Sequence, residues 1–144
     1  MNNKISLFAV IILCITLLSC NLNSNDDNVQ RSRISDVLYR IEDAFNQRNN
    51  NAIMQHYHQD FLHNGMNHNG QSFIWSDRMT LYNILDIEIV SIELDGYLAL
   101  VRMKLSYSDR ETKYPPFFEP ETSGDLSYFF HERGEWKIYG NQIR

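Results

Sequence analysis

His56, His58, His63 and His68 fall within thirteen residues, a density that raises the question of a metal site. Zinc needs three or four ligands converging on one point, each imidazole oriented by a further hydrogen bond. The spacing argues against convergence. On a helix His56 and His58 point about 200° apart, and His63 and His68 are separated by the turn signal Asn64-Gly65. No metal or cofactor is expected. His63 stands apart from the other three. In an extended stretch Phe61-Leu62-His63, Phe61 and His63 share one face, and a histidine is the side chain most easily poised near neutral pH. Asp60 and Asp77 are the acids nearby, and Arg78 is placed either to clamp an anion or to pair with Asp60. Tyr57, Trp75, Tyr82, Tyr107 and Tyr128 offer aromatic walls with polar tips. There is no phosphate-binding glycine loop, no nucleophile elbow and no zinc-protease helix.

The amino terminus carries chemistry of another kind. Lys4 is the only charge before Asp26, and residues 5–18 are an almost unbroken apolar run. As a helix the run would cross only roughly 20 Å of a hydrocarbon core about 30 Å thick. It therefore reads as an export signal rather than a span. Its end, Leu17-Leu18-Ser19-Cys20, resembles the lipobox of bacterial lipoproteins. That resemblance implies cleavage before Cys20, a diacylglycerol on its sulfur and a protein held in the cell envelope, anchored to a membrane. Two or three acyl chains hold far more firmly than one, at about 0.8 kcal/mol per buried methylene. Cys14 lies in the removed segment, so the mature chain keeps Cys20 alone and has no internal disulfide or Cys-ligated zinc. Residues 21–28, NLNSNDDN, are polar and Asn-rich and read as a flexible tether.

Residues 29–144 then make one domain. The net charge of −5 becomes −6 when Lys4 is removed, and there is no Lys/Arg run. Nucleic acid is excluded as a partner, because phosphate-backbone binding needs clustered positive charge.

The elements that must position the candidate residues follow from periodicity. Ile34, Val37, Leu38, Ile41, Ala44 and Phe45 predict an amphipathic helix over 31–48. Asn49-Asn50-Asn51 breaks it and offers an N-cap for a second helix over 52–58. Residues 60–63 read as extended, Asn64-Gly65 and Asn69-Gly70 as turns, and 72–79 as a short helix capped by Ser72. Strands are expected over 81–94, with a bulge near Ile89-Val90, and over 97–107, with Asp95-Gly96 as the hairpin between them. A polar connection over 108–123 contains Pro115-Pro116-Phe117-Phe118, whose phenylalanines either fold back on the sheet or cover something else. Strands over 125–131, with Leu126, Tyr128 and Phe130 on one face, and over 135–143 flank an Arg133-Gly134 turn, and Trp136 is expected in the core. Helices followed by an antiparallel meander make an α+β layout.

Four stretches carry a resemblance to the nuclear transport factor 2-like superfamily, which includes ketosteroid isomerase and scytalone dehydratase. They are the helical pair ending His56-Tyr57-His58-Gln59-Asp60-Phe61-Leu62, then His63-Asn64-Gly65, then residues 87–103 around Asp95-Gly96, then Gly134-Glu135-Trp136-Lys137-Ile138-Tyr139-Gly140. The resemblance implies a cone-shaped α+β fold, with helices on a curved antiparallel sheet and a pocket between them. Placing Asp60 on the isomerases' aspartate puts Ile41 at their tyrosine and Gly65 at their base, so no catalytic residue is carried over. The residues expected to line a ligand site are Phe61, His63, Trp75, Arg78, Tyr107 and Tyr128. The function expected is a lipid-anchored, non-enzymatic envelope module binding a small apolar ligand or an envelope protein. The alternatives are an enzyme using His63 as acid or base, and a structural homodimer paired through its sheet face.

Overall fold

The computed structural model describes residues 26–109 and 111–144, divided between two compact units, 1–32 and 33–144. The expected export signal, Cys20 and residues 21–25 of the expected tether lie outside the described residues. In the first unit residues 26–32 are helical, so the tether reading fails at 26–28. Gln30 donates to Asp26 one turn back at 3.3 Å, the kind of side-chain pair that supports a helix of polar composition.

In the second unit helix α1 runs over 33–46 and buries Ile34, Leu38, Ile41, Ala44 and Phe45 along one stripe. Burial of each large member contributes about 1.5–3 kcal/mol. The helix stops earlier than the expected 48 because Arg48 adopts a left-handed φ of 61°. Arg48 N–H bonds to Phe45 C=O at 2.9 Å and Asn49 N–H to Ala44 C=O at 2.8 Å, which closes a Schellman motif. Asn49 then caps α2 (Asn50–Met54) by accepting from Ala52 N–H at 3.0 Å. The second helix is thus shorter than predicted. The chain leaves it at His56, whose backbone N–H and C=O bond to Ile53 and Ile138.

Strands β1 (Leu62–His63) and β2 (Met66–Asn67) form a hairpin across Asn64-Gly65, both with positive φ, as the turn signal requires. Asn69-Gly70 is not a turn. Helix α3 covers His68–Leu81, with Asn67, not Ser72, as its cap, accepting from Gly70 N–H at 2.9 Å. A Cβ at Gly70 would meet only the flexible end of the Met66 side chain, at Sδ.

The main sheet is antiparallel in the order β3 (Ile84–Asp95), β4 (Leu98–Ser108), β6 (Tyr128–Glu132), β7 (Glu135–Ile138). A short β5 (Phe117–Glu119), missed in the polar connection, also pairs with β4. The expected bulge is present between Ile89 and Ser91, switching the buried set on β3 from Leu85 and Ile87 to Ile92. The β3–β4 turn is Gly96-Tyr97, one residue later than expected, with positive φ at Gly96. Phe117 folds back against Tyr107, ring centres 5.7 Å apart, while Phe118 is exposed. The face read for the next strand is wrong: Phe129 is the buried residue, opposite Ala99, and Tyr128 and Phe130 are half-buried. Leu126 is buried from the turn before β6, so its parity does not carry into the strand. The final strand ends at Ile138, not 143, and Trp136 is in the core.

The helices lie on one face of this sheet. Phe45 of α1 packs edge-on to Trp75 of α3 at 5.9 Å and to Tyr107 of β4 at 5.8 Å. Side chains of α1 also close the free edge of β3: Asn46 bonds both Leu85 N–H and C=O, and Glu42 accepts from Ile87 N–H.

Candidate functional site

Helix α3 presents Gln71, Trp75 and Arg78 on one face, at spacings of four and three. They meet Tyr57 and Asp125. Trp75 Nε1–H donates to Tyr57 Oη at 2.9 Å, Arg78 Nη1 donates to Asp125 Oδ2 at 2.8 Å, and Gln71 Nε2 donates to the same oxygen. Ser123 Oγ donates to Asp125 Oδ1 at 3.0 Å, and the Arg78 guanidinium lies 4.8 Å over the Trp75 ring. Arg78 therefore pairs with Asp125, and Asp60, considered as its partner, is exposed. Burial alone would raise the Asp125 pKa, but Arg78 and the donated hydrogen bonds outweigh it and hold the carboxyl below the ordinary aspartate range. Burial also favours the neutral form of Arg78, yet the charge of Asp125 raises its pKa overall. Burial lifts the Tyr57 phenol well above its usual value and pushes Tyr107 up to about 12. Near neutral pH every group here holds its proton state, so the cluster braces the interior and has no poised acid or base. Among the described residues the Tyr107 hydroxyl is buried without a hydrogen-bond partner, beside the Tyr82 and Phe117 rings.

His63 is only 6% exposed and joins three parts of the chain. Its Nε2–H donates to Ser123 C=O at 2.7 Å, and its Nδ1 accepts from Asn141 N–H at 3.3 Å. This is the pattern of one neutral tautomer with both nitrogens engaged. The ring stacks on Phe61 at 6.5 Å and approaches Tyr128 at 5.8 Å. Replacing His63 by Phe leaves a carbonyl and an N–H without their partner, at about 1–3 kcal/mol each. The expected result in a urea titration is a midpoint lowered by an equivalent of about 2–6 kcal/mol in a chain that still folds. An unchanged midpoint would remove the bracing role.

The six expected ligand residues thus form two groups. Trp75, Arg78 and Tyr107 are one, and Phe61, His63 and Tyr128 the other. Tyr57 links them by its bond from Trp75 and its edge contact with Phe61 at 5.0 Å. Tyr128 alone of the six reaches a groove of about 570 Å³ at the β3–β4 hairpin end of the sheet. Leu98, Leu100, Tyr128 and Tyr139 line it, with Glu93 and Asp95 on one side and Gly140, Asn141 and Gln142 on the other. Leu100 stands directly opposite both Glu93 and Tyr128, which places the three on one face. The 139–142 wall is held by backbone bonds between Leu62 and both Tyr139 and Gln142. The histidines do not converge. His58 bonds Glu132 at 3.2 Å, His56 lines a different groove, and no cluster of three or more His, Cys, Asp or Glu is arranged to hold a metal among the described residues.

Two participants escaped sequence reasoning. Gln71 would have been found by starting the helix at His68, since the spacing of Gln71, Trp75 and Arg78 then defines one face. Asp125, assigned to a strand, had no local signal, because its partner is 47 residues away.

Helices on one face of a bent antiparallel sheet, with a polar cluster between them, define the nuclear transport factor 2-like α+β fold. The solved structures it resembles agree. A nuclear transport factor 2-like protein of unknown function from Shewanella oneidensis is 19% identical with a TM-score of 0.59, over 77% of this chain and 95% of that one. A protein of unknown function with a cystatin-like fold from Nostoc punctiforme is 10% identical with a TM-score of 0.59, over 78% of this chain and 87% of that one. Bd1075 from Bdellovibrio bacteriovorus is 13% identical with a TM-score of 0.59 over 81% of this chain, which spans only 40% of that protein. At these identities the likeness is one of fold. No family model and no curated protein matches the sequence.

Proposed function

We propose that this protein is a lipid-anchored, non-enzymatic binding module of the cell envelope, and that its ligand is a small apolar molecule seated over Leu100 and Tyr128. The observation that carries this reading is the groove itself. Its volume of about 570 Å³ lies within the range of small-molecule sites, and its exposed lining is mainly apolar. Asn141 and Gln142, at its edge, have their side chains engaged within the protein, so the contacts on offer are mainly apolar. The absence of catalysis is supported by the engagement of His63 on both nitrogens and of Asp125 by Arg78. The anchor rests on the Leu17-Leu18-Ser19-Cys20 motif.

Native mass spectrometry of the full-length protein, purified from the envelope in detergent, tests both parts. The expected spectrum has a chain beginning at an acylated Cys20 and carrying a small-molecule adduct. The adduct should be lost from a Leu100→Lys variant, whose ammonium would sit beside Glu93. A chain of precursor length would remove the anchor. Wild-type protein without an adduct, or an adduct equal in both proteins, would remove the ligand.

A further inference from the structure

A second groove lies between α1 and the β6–β7 turn, about 240 Å³ in volume and of opposite character. One wall is Arg33, Asp36, Val37 and Arg40, a single stripe of α1 at spacings of three, four and seven. The other is Glu135 and Lys137 with His56 from the segment after α2. We propose that this groove binds a phosphate-type oxyanion.

Arg33 and Arg40 are exposed and form no ion pair or hydrogen bond among the described residues. Lys137 is fixed by its bonds to Gln55 C=O at 2.9 Å and Glu135 at 3.0 Å, and that pairing holds the Glu135 carboxyl below its usual range. Asp36 stands between the two arginines on the same stripe. Three cations thus face two carboxylates, a local excess of one positive charge on a chain whose net charge is −5. His56 is half-buried, and its ring has no hydrogen-bond partner among the described residues. Burial, then Lys137 and Arg40, lower its pKa.

An oxyanion would satisfy all three unpartnered groups at once. Guanidinium groups suit phosphate oxygens in planar, paired contacts. A carboxylate, with two oxygens, would serve one arginine, whereas a tetrahedral phosphate offers acceptors to Arg33, Arg40 and the His56 ring from both walls. Its charge would also reverse the repulsion that His56 meets from Lys137 and Arg40, so the ring would take up a proton on binding. The charge is confined to one small groove, which fits a single phosphate rather than a polymer. A free phosphate and the phosphate of a lipid headgroup share this chemistry.

The test uses the full-length protein in non-ionic detergent micelles, with the His56 ring resonances followed by NMR at constant pH. One arm adds inorganic phosphate, and the other dopes the micelles with phosphatidylglycerol. The expected result is a saturable shift of His56 toward the protonated form, weakened about a hundredfold in Arg33→Gln/Arg40→Gln, since each of the two charged hydrogen bonds lost is worth roughly a factor of ten. Saturation by inorganic phosphate would assign a soluble source, and a response to phosphatidylglycerol alone a headgroup. No response in either arm, or an equal response in the double variant, would overturn the proposal. Both substituted residues are exposed, and resonances of His63 in the same spectra report whether the variant is folded. The outcome is independent of the apolar groove.

Discussion

Replacing Asp125 by Ala is expected to lower the free energy of unfolding by about 3–5 kcal/mol, the cost of leaving a buried charge without its partner. The charge is that of Arg78, whose side chain is 19% exposed and which has Asp125 as its ion-pair partner at 2.8 Å. Against a total stability of about 5–15 kcal/mol for a domain, the loss is a large fraction. Gln71 and Ser123 lose an acceptor in the same step. The double variant Arg78→Met/Asp125→Leu should recover part of the loss, because removing both charges also removes their desolvation. Urea unfolding followed by tryptophan fluorescence measures this directly, since Trp75 lies against the pair. A loss under about 1 kcal/mol in Asp125→Ala would show that water reaches Arg78 and replaces the carboxylate.

The same pair sets part of the acid limit. Asp125 has a folded pKa below its ordinary value near 3.8, so the unfolded chain takes up that proton first. Its stabilisation is complete above about 3.8 and is lost as the pH falls toward the lower folded value. Glu119 behaves oppositely. Burial raises its pKa above the ordinary 4.5, so the folded chain takes up the proton first, and acidification toward 4.5 adds stability. Wild-type stability should therefore lose the Asp125 contribution only below about pH 4, and Asp125→Ala should show a shallower fall there.

Replacing Gly140 by Ala is expected to cost about 3 kcal/mol or more and to open the wall of the apolar groove. Two effects combine. The backbone is left-handed, with φ of 77°, which costs a residue with a side chain about 1–2 kcal/mol. The added Cβ would also lie 2.3 Å from the Leu62 carbonyl oxygen, a backbone atom that cannot swing aside. Gly134 is the internal control: its φ is 85°, but a Cβ there meets nothing within 4 Å. Gly134→Ala should show the conformational cost alone, about 1–2 kcal/mol. Thermal unfolding of the two variants separates the effects, and equal losses would mean that the 139–142 segment moves away from β1 freely. Hydrogen exchange at Gln142 N–H, which bonds to Leu62 C=O at 2.9 Å, reports that movement directly.

The sequence by itself determined what short-range chemistry controls. The β3 bulge followed from a change in the phase of apolar residues over 81–94, and Asn64-Gly65 and Arg133-Gly134 marked turns because Asn64, Gly65 and Gly134 accept positive φ. The α+β class followed from the order of periodicities. Failures began where a local signal had two uses. Asn69-Gly70 has the composition of a turn, but Asn67 caps the helix two residues earlier, and its side chain takes the Gly70 N–H. The tertiary structure alone decided the candidate site. Arg78 chose Asp125, 47 residues away, over the nearer Asp60, because the turn before β6 carries one carboxylate inward while the other stays in water. His63 became a brace because Ser123 and Asn141, from 60 and 78 residues away, bring a carbonyl and an N–H to its two nitrogens. Such pairings depend on where distant segments meet once the core has packed, and no periodicity or turn signal within a few residues records that.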